Sequence, residues 1–570
     1  MSISESKKEK IGSIFNGNQF VIPSYQRKYS WTNKERKEFW DDIKEASKNS
    51  MNHFFGTLIF KKITDISNLS EVYEVIDGQQ RTTTLFILLN ELISKLDDNE
   101  IKEDLFETFI KKREKIKLLP LGNDENFLKI MLLDFNSINF KNIEKRSQKN
   151  LYNAKKFFSD LLESYNQEET IKLINFIRNN VEVLVMVVQS QSEAIRMFEI
   201  INDRGLALSY LDKIKSILML YSTMYLDDKL NNLINTSFEN IFDANDEIMN
   251  KKDELKILNR FDEDETLFIH HYIKAKSYLS DTWNYRNGAK TIFESIKNKC
   301  EKVKTNTQDL EKFISDYVED FSNFSQSYSK LVLSIRDNIK YIEAFQFLEF
   351  SATLYPLIVI LFQQNKLDEL LDILISVELR VYKFKGTNPR ADIPYLCNEI
   401  VKEDWTIEEI KEQLEWFRGK FLNDGSFKYS LSENIYGNNA IKYILLKHNN
   451  SLNSKKITLF KDFNNLQVEH IFPQGSDSGV TFDVTSFGFD DSEDYEYTKD
   501  TIGNLTLLEK NLNSGKEVSD LTPDEKVSGY LKSKVTETNL LASEIDKNSF
   551  QKVNVESRSK KIIEFCLKNF

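Results

Sequence analysis

Val72-Tyr73-Glu74-Val75-Ile76-Asp77-Gly78-Gln79-Gln80-Arg81-Thr82-Thr83-Thr84-Leu85-Phe86-Ile87-Leu88-Leu89 is the stretch whose reading decides the N-terminal fold. Its β-branched and aromatic opening reads as a strand. Asp77-Gly78 ends that run, and Thr82 to Leu89 starts a helix directly after it. Similar short runs at Phe20-Val21-Ile22, Gly56 to Phe60 and Val181 to Val188 alternate with helical patterns. Residues 1–222 are therefore expected to form a mixed α/β domain.

Outward from there the texture changes. Residues 223–450 are rich in Lys, Glu, Leu, Ile and Phe and nearly free of Gly and Pro. Leu367, Leu370, Leu371, Leu374 and Ile375 recur at helical spacing, which predicts a helical linker domain. Residues 451–570 regain turns and acids, and Gly475 to Asp494 reads as a flexible polar insertion. The fold class expected is α+β and predominantly helical. The cluster Lys111, Lys112, Arg113, Lys115 and Lys117 reads as a solvated helix face.

Composition narrows the function classes. A chain of 570 residues exceeds one ordinary core. Its net charge of −12 argues against a wholly basic surface, although a local basic groove is compatible with it. Three scattered cysteines exclude a disulfide framework and a cysteine zinc site. The longest apolar run, Tyr355 to Phe362, is far short of the ~20 residues a span needs. No membrane partner and a cytoplasmic location are expected.

The turn after Asp77 carries chemistry. A helix N-terminus with free N–H groups, Arg81 and the hydroxyls of Thr82 and Thr83 is an anion site. Gly78 lets backbone approach a ligand, and Asp77 is placed to hold a metal on phosphates or to polarise a water. The plainer reading is a capped helix with an Asp77–Arg81 salt bridge. A second constellation lies in Gln467-Val468-Glu469-His470-Ile471-Phe472-Pro473, followed by Gly503-Asn504-Leu505-Thr506-Leu507-Leu508 and Asn513. Phosphodiester cleavage needs a base for water, which His supplies, and charge neutralisation by a metal with hard oxygen ligands, which Glu and Asn supply. Glu469 and His470 are adjacent on a strand, so their side chains face opposite ways unless the strand twists or ends there.

The order His470, Asn504, Asn513 resembles the HNH (ββα-metal) nucleases. That resemblance implies Glu469 and Asn513 as metal ligands for Mg²⁺ or Mn²⁺, His470 as the general base and Asn504 as the residue that orients the His loop. It also implies a ββα-metal fold for 451–570. The wording Asp77-Gly78-Gln79-Gln80-Arg81 resembles the DGQQR domain of GmrSD-type modification-dependent restriction enzymes and of the related SspE proteins, whose N-terminal domain is ParB/sulfiredoxin-like. Phe198-Glu199-Ile200-Ile201-Asn202-Asp203-Arg204-Gly205 is similar to a further element of that family. The resemblance implies binding and hydrolysis of a nucleoside triphosphate (GTP, UTP or ATP) by 1–222, with Gly78, Gln79, Gln80, Arg81, Thr82 and Thr83 at the nucleotide and Asp77 catalytic. Tyr25, Gln26, Arg27, Asn202 and Arg204 are further candidates around it. It implies cleavage or nicking of double-stranded, modified or unmodified DNA by 451–570, in defence against phage. Two alternatives stay open: a nucleotide-dependent DNA-binding regulator with an inactive nuclease remnant, and a nucleotide-sensing scaffold. A homo-oligomer is compatible with each of these readings.

Overall fold

The computed structural model describes residues 5–23, 26, 28–49, 51–63, 71–112, 115–120, 124–143, 145–190, 193, 209–255, 264, 266–267, 269–271, 289–452, 456–475, 482–513, 521–547 and 549–570. Tyr25, Arg27, Asn202 and Arg204 lie outside them. The chain divides into two compact units: Met1–Asn250 with Asp262–His271 and Ala275–Gln326, and Lys251–Phe261 with Tyr272–Lys274 and Ser327–Phe570. The division falls at Gln326–Ser327, within the segment read as a helical linker. The fold is α+β and predominantly helical, as expected.

The first unit is organised by a mixed six-stranded sheet. Its strands are β1 (Glu5–Lys10), β2 (Gln19–Ile22), β3 (His53–Ile63), β4 (Val72–Asp77), β7 (Leu118–Pro120) and β8 (Val181–Val188), in the order β1-β8-β3-β4-β2-β7. β5 (Lys111–Lys112) and β6 (Lys115–Ile116) make a separate two-stranded ribbon. β3 runs parallel to β8 and antiparallel to β4. Strand residues alternate between faces. Leu58, Phe60, Val75 and Val183 enter one core, while Ile59, Ile76 and Val188 enter another. Each face is covered by helices, so the central strands β3, β4 and β8 send apolar side chains to both sides, whereas the edge strand β1 is polar throughout.

On the first face lies the helix Gln79–Ser94, whose Leu85, Phe86, Leu88, Leu89, Leu92 and Ile93 are fully buried. Burying each such side chain contributes ~1.5–3 kcal/mol. That helix packs with Arg146–Leu162 and Gln167–Asn180. The second face is covered by Tyr210–Tyr225, Asn231–Leu255 and Ala289–Val303.

The second unit holds Tyr355–Gln363 and Leu367–Val377, both buried helices, the second as its spacing predicts. Its last part contains the antiparallel pair β9 (Leu466–His470) and β10 (Leu505–Glu509), followed by the helix Pro523–Tyr530. Two expectations are corrected. The lysine cluster is not a helix face: Lys111–Lys112 pairs with Lys115–Ile116, and Lys117 is buried, its ammonium donating to Phe15 and Thr108 carbonyls at 3.1 and 2.6 Å. Arg113 lies outside the described residues. Nor is the described part of the acidic segment, from residue 482, a loose insertion. Phe487, Phe489 and Tyr495 pack around Phe472, Phe482 packs on Phe487 and Tyr495, and the Tyr495 hydroxyl donates to the Pro473 carbonyl. Aromatic side chains at intervals outweigh the acids between them.

Candidate functional sites

In the first unit the turn after β4 is built by local rules. Gly78 takes φ +90° as the cap of the helix, and its carbonyl accepts the Thr82 N–H at 2.9 Å. The adjoining side chains then part company. Arg81 turns back onto β3, where it donates to the carbonyls of Phe55 (3.1 Å) and Thr57 (2.9 Å) and to the Asp77 carboxylate (3.3 Å). A bulge in β3 opens room for it: Gly56 takes φ +108°, and a Cβ there would lie 1.9 Å from Arg81 Nη1. Burial pushes the Asp77 carboxyl up, opposed by Arg81.

Gln79, Gln80 and Thr83 instead line a cavity of about 280 Å³. The Gln80 amide is occupied, accepting from Ser30 N–H at 2.9 Å and donating to the Lys28 carbonyl at 3.1 Å. The Gln79 amide and Thr83 hydroxyl make no hydrogen bond among the described residues and are left to the cavity. Thr82 is buried, its hydroxyl without a hydrogen-bond partner. Gln26 also lines the cavity; its Nε2 donates to the carbonyls of Val75 (2.5 Å) and Ile76 (2.6 Å). The structure therefore gathers Gln26, Gln79, Gln80 and Thr83 around one space. Asp77 and Arg81 stand behind it as a clamp between β3 and the turn.

In the second unit β9 delivers Glu469 and His470 to separate environments, as the pleat requires. The Glu469 carboxylate accepts from Lys526 Nζ at 2.8 Å and from the Tyr530 hydroxyl at 3.4 Å. Lys526 also donates to the His470 carbonyl at 2.6 Å. The His470 ring lies against Tyr436, centroids 4.2 Å apart, with Nε2 2.8 Å from Asp500 Oδ1. Burial lowers the His470 pKa, against the pull of Asp500, which raises it. The neutral ring is thus favoured, and a proton on Nε2 shared with a carboxylate leaves the Nδ1 lone pair open.

Asn504 is fully buried. Its Oδ1 accepts the Phe472 N–H at 2.8 Å, and its Nδ2 donates to the carbonyls of Phe472 (3.0 Å) and Lys499 (2.6 Å). One side chain therefore ties the turn after His470 to the turn that carries Asp500. Asn513 is placed apart, with its amide 3.4 Å from Gln467 Oε1.

Two family models match the chain: the N-terminal domain of GmrSD restriction endonucleases over residues 11–219, and the C-terminal domain of GmrSD restriction endonucleases over residues 422–565. This chain is a GmrSD-type protein. The first matched segment contains the Gln79 turn and the cavity wall from Ile22 to Lys215, while the wall formed by Asn232, Asn235, Thr236, Glu239 and Phe242 lies beyond it; the second contains the His470 hairpin. They give the GmrSD-type protein a restriction-endonuclease role in defence, with DNA as substrate. No curated protein matches it, and among its described residues no helix is long and apolar enough to cross a membrane.

Reasoning from sequence missed several residues of these sites. Asp500 sits in an acid-rich stretch that offers no spacing signal toward His470. Lys526 lies on a later helix whose pattern is that of a surface helix. His448, which shows no partner pattern in sequence, meets Glu537 at 3.0 Å, and Glu537 also takes Arg558 at 3.0 Å.

Proposed function

We propose that this GmrSD-type protein is a nucleotide-regulated, metal-dependent DNA endonuclease of the HNH type, and that its N-terminal site binds and hydrolyses a nucleoside triphosphate. The observation that carries the nuclease half is the setting of His470: Nε2 anchored on Asp500, Nδ1 open, and the surrounding turns tied by Asn504. In this reading Nδ1 takes a proton from water, the oxygen forms a bond to phosphorus, and the bond from phosphorus to the leaving oxygen breaks. Asp500 holds the tautomer and balances the imidazolium that forms.

A divalent cation, Mg²⁺ or Mn²⁺, supplies neutralisation of charge at a phosphate when bound. Glu469 and Asn513 as they stand do not form its site. The Glu469 carboxylate is already answered by Lys526, and the described residues hold no group of three His, Cys, Asp or Glu side chains suited to an ion. The metal requirement is accordingly proposed without ligands and tested by chelation. The Lys526–Glu469 pair also favours a second reading, a DNA-binding regulator whose nuclease is a remnant.

The nucleotide half rests on the start of the helix Gln79–Ser94, where Gln79, Gln80 and Thr83 border a cavity of suitable size and Gly78 caps the helix. In this reading Asp77 and Arg81 shape that start. The cytoplasm and the divisions 1–222, 223–450 and 451–570 belong to the same proposal. The test is strand scission of modified and unmodified duplex DNA with Mg²⁺ or Mn²⁺ and each triphosphate. His470→Ala is expected to lower cleavage ~10²–10⁴-fold with the fold intact. Cleavage by that variant at the parent rate sinks the assignment, and no cleavage by the parent under any condition favours the regulator.

A further inference from the structure

The cavity beside Gln79 presents an unusual set of polar atoms. Gln26 is 5% exposed, and its Nε2 is committed to two sheet carbonyls, which fixes the amide so that Oε1 is the remaining group. Gln26 Oε1 is buried and has no hydrogen-bond partner. Asp124, 4% exposed, lines the same cavity, and its Oδ1 is likewise buried without one. Asn235 Oδ1 is a third such acceptor. Buried acceptors left unsatisfied cost ~1–3 kcal/mol each, so three in one cavity call for a ligand rich in N–H donors. Tyr29, Phe242 and Leu128 give the cavity flat and apolar wall, and Lys28, Lys215 and Glu239 place charged groups on its lining as well. About 280 Å³ holds a ring system rather than an oligomer. The opening of the helix Gln79–Ser94, with the unengaged Gln79 and Thr83, borders the same space and offers its N–H groups to an anion.

We propose that the cavity is a base pocket selective for guanine, with Gln26 accepting from the ring N1–H and Asp124 from the 2-amino group, and with the attached phosphates toward the start of the Gln79 helix. The proposal deepens the nucleotide half of the function proposed above and rests on it. Guanine carries adjacent ring and exocyclic donors on one edge. Adenine presents an acceptor at N1, and uracil flanks its single N–H with two carbonyls, so both set acceptor against acceptor. Inosine nucleotides keep the ring N–H and lack the amine, which isolates the contribution of that group. A site built to bond particular donors rejects analogues that lack them.

The experiment uses the full chain and calorimetric titration with GTP, ITP, XTP, ATP and UTP. GTP is expected to bind at least about tenfold more tightly than ITP, ATP or UTP, the range of one or more lost bonds. These comparisons use the unaltered protein and need no variant to fold. Asp124→Asn exchanges an acceptor for a donor, so it is expected to lose the preference for GTP and to gain affinity for XTP, whose 2-oxo group accepts; circular dichroism checks its fold. Equal affinity for all five triphosphates overturns the guanine pocket and leaves the nucleotide site standing. Preference for UTP or ATP overturns it as well. No binding of any triphosphate at millimolar concentration removes the nucleotide reading itself.

Discussion

Replacing Gly56 by Ala should act on the protein through Arg81. The residue sits at φ +108°, where an L side chain is strained by ~1–3 kcal/mol. A Cβ would also lie 1.9 Å from Arg81 Nη1, so the guanidinium must leave. What leaves with it can be gauged from Arg81→Ala. That change removes two bonds from a charged donor to the carbonyls of Phe55 and Thr57 and strips Asp77 of its cation. Bonds of this kind contribute ~1.5–3 kcal/mol each. The Arg81 side chain is 29% exposed, so water recovers part of the loss. A cost of ~2–4 kcal/mol is expected for Arg81→Ala. Gly56→Ala should cost that much plus the strain. In the Arg81→Ala background the collision is gone and only the strain remains. The double variant should therefore fall short of the sum of the singles by ~2–4 kcal/mol. Urea unfolding of the four proteins, with hydrogen exchange read at β3 and β4, measures this. Additivity within ~0.5 kcal/mol would refute the clamp. A loss below ~1 kcal/mol for Arg81→Ala would make it a surface ion pair.

The other expectations concern chemistry and pH. Asp500→Asn should lower the rate of the chemical step ~10²-fold or more while DNA affinity is unchanged, because the ring loses the carboxylate that sets its tautomer; an equal loss in binding would point to a structural role instead. EDTA should stop DNA cleavage without unfolding the protein, and cleavage that persists after chelation would end the metal proposal. Lys215 lies in the cavity, where burial lowers its pKa to about 7 from 10.5, opposed by Asp212 and Glu239. Between those values the unfolded chain binds the extra proton, so stability should rise with pH from about 7 upward, by at most ~1.4 kcal/mol per unit. Lys215→Met should flatten that slope in urea midpoints measured from pH 7 to 10, and an unchanged slope rejects the assignment.

Local order was legible in the sequence. β-branched runs bounded by Gly and Asp identify β2, β3, β4 and β8, because strand propensity and turn chemistry act within a few residues. The helix around Leu367 follows from spacing alone. The pairing of Glu469-His470 with Leu505-Thr506, and the hold of Asn504 on the turn after His470, are observed only in the folded hairpin. What the sequence could not carry was direction and company. Gln79, Gln80 and Arg81 are consecutive, yet the helix sends Arg81 to β3 and Gln79 to the cavity, since successive helical side chains diverge by ~100°. Lys117 reads as a surface cation, and only the closing of Phe15 and Thr108 over it decides that it is buried. Asp500, Lys526 and Asp124 enter their sites from far along the chain. Nothing in their neighbours marks them, because the forces that choose them are packing and charge across elements that meet only in the folded protein.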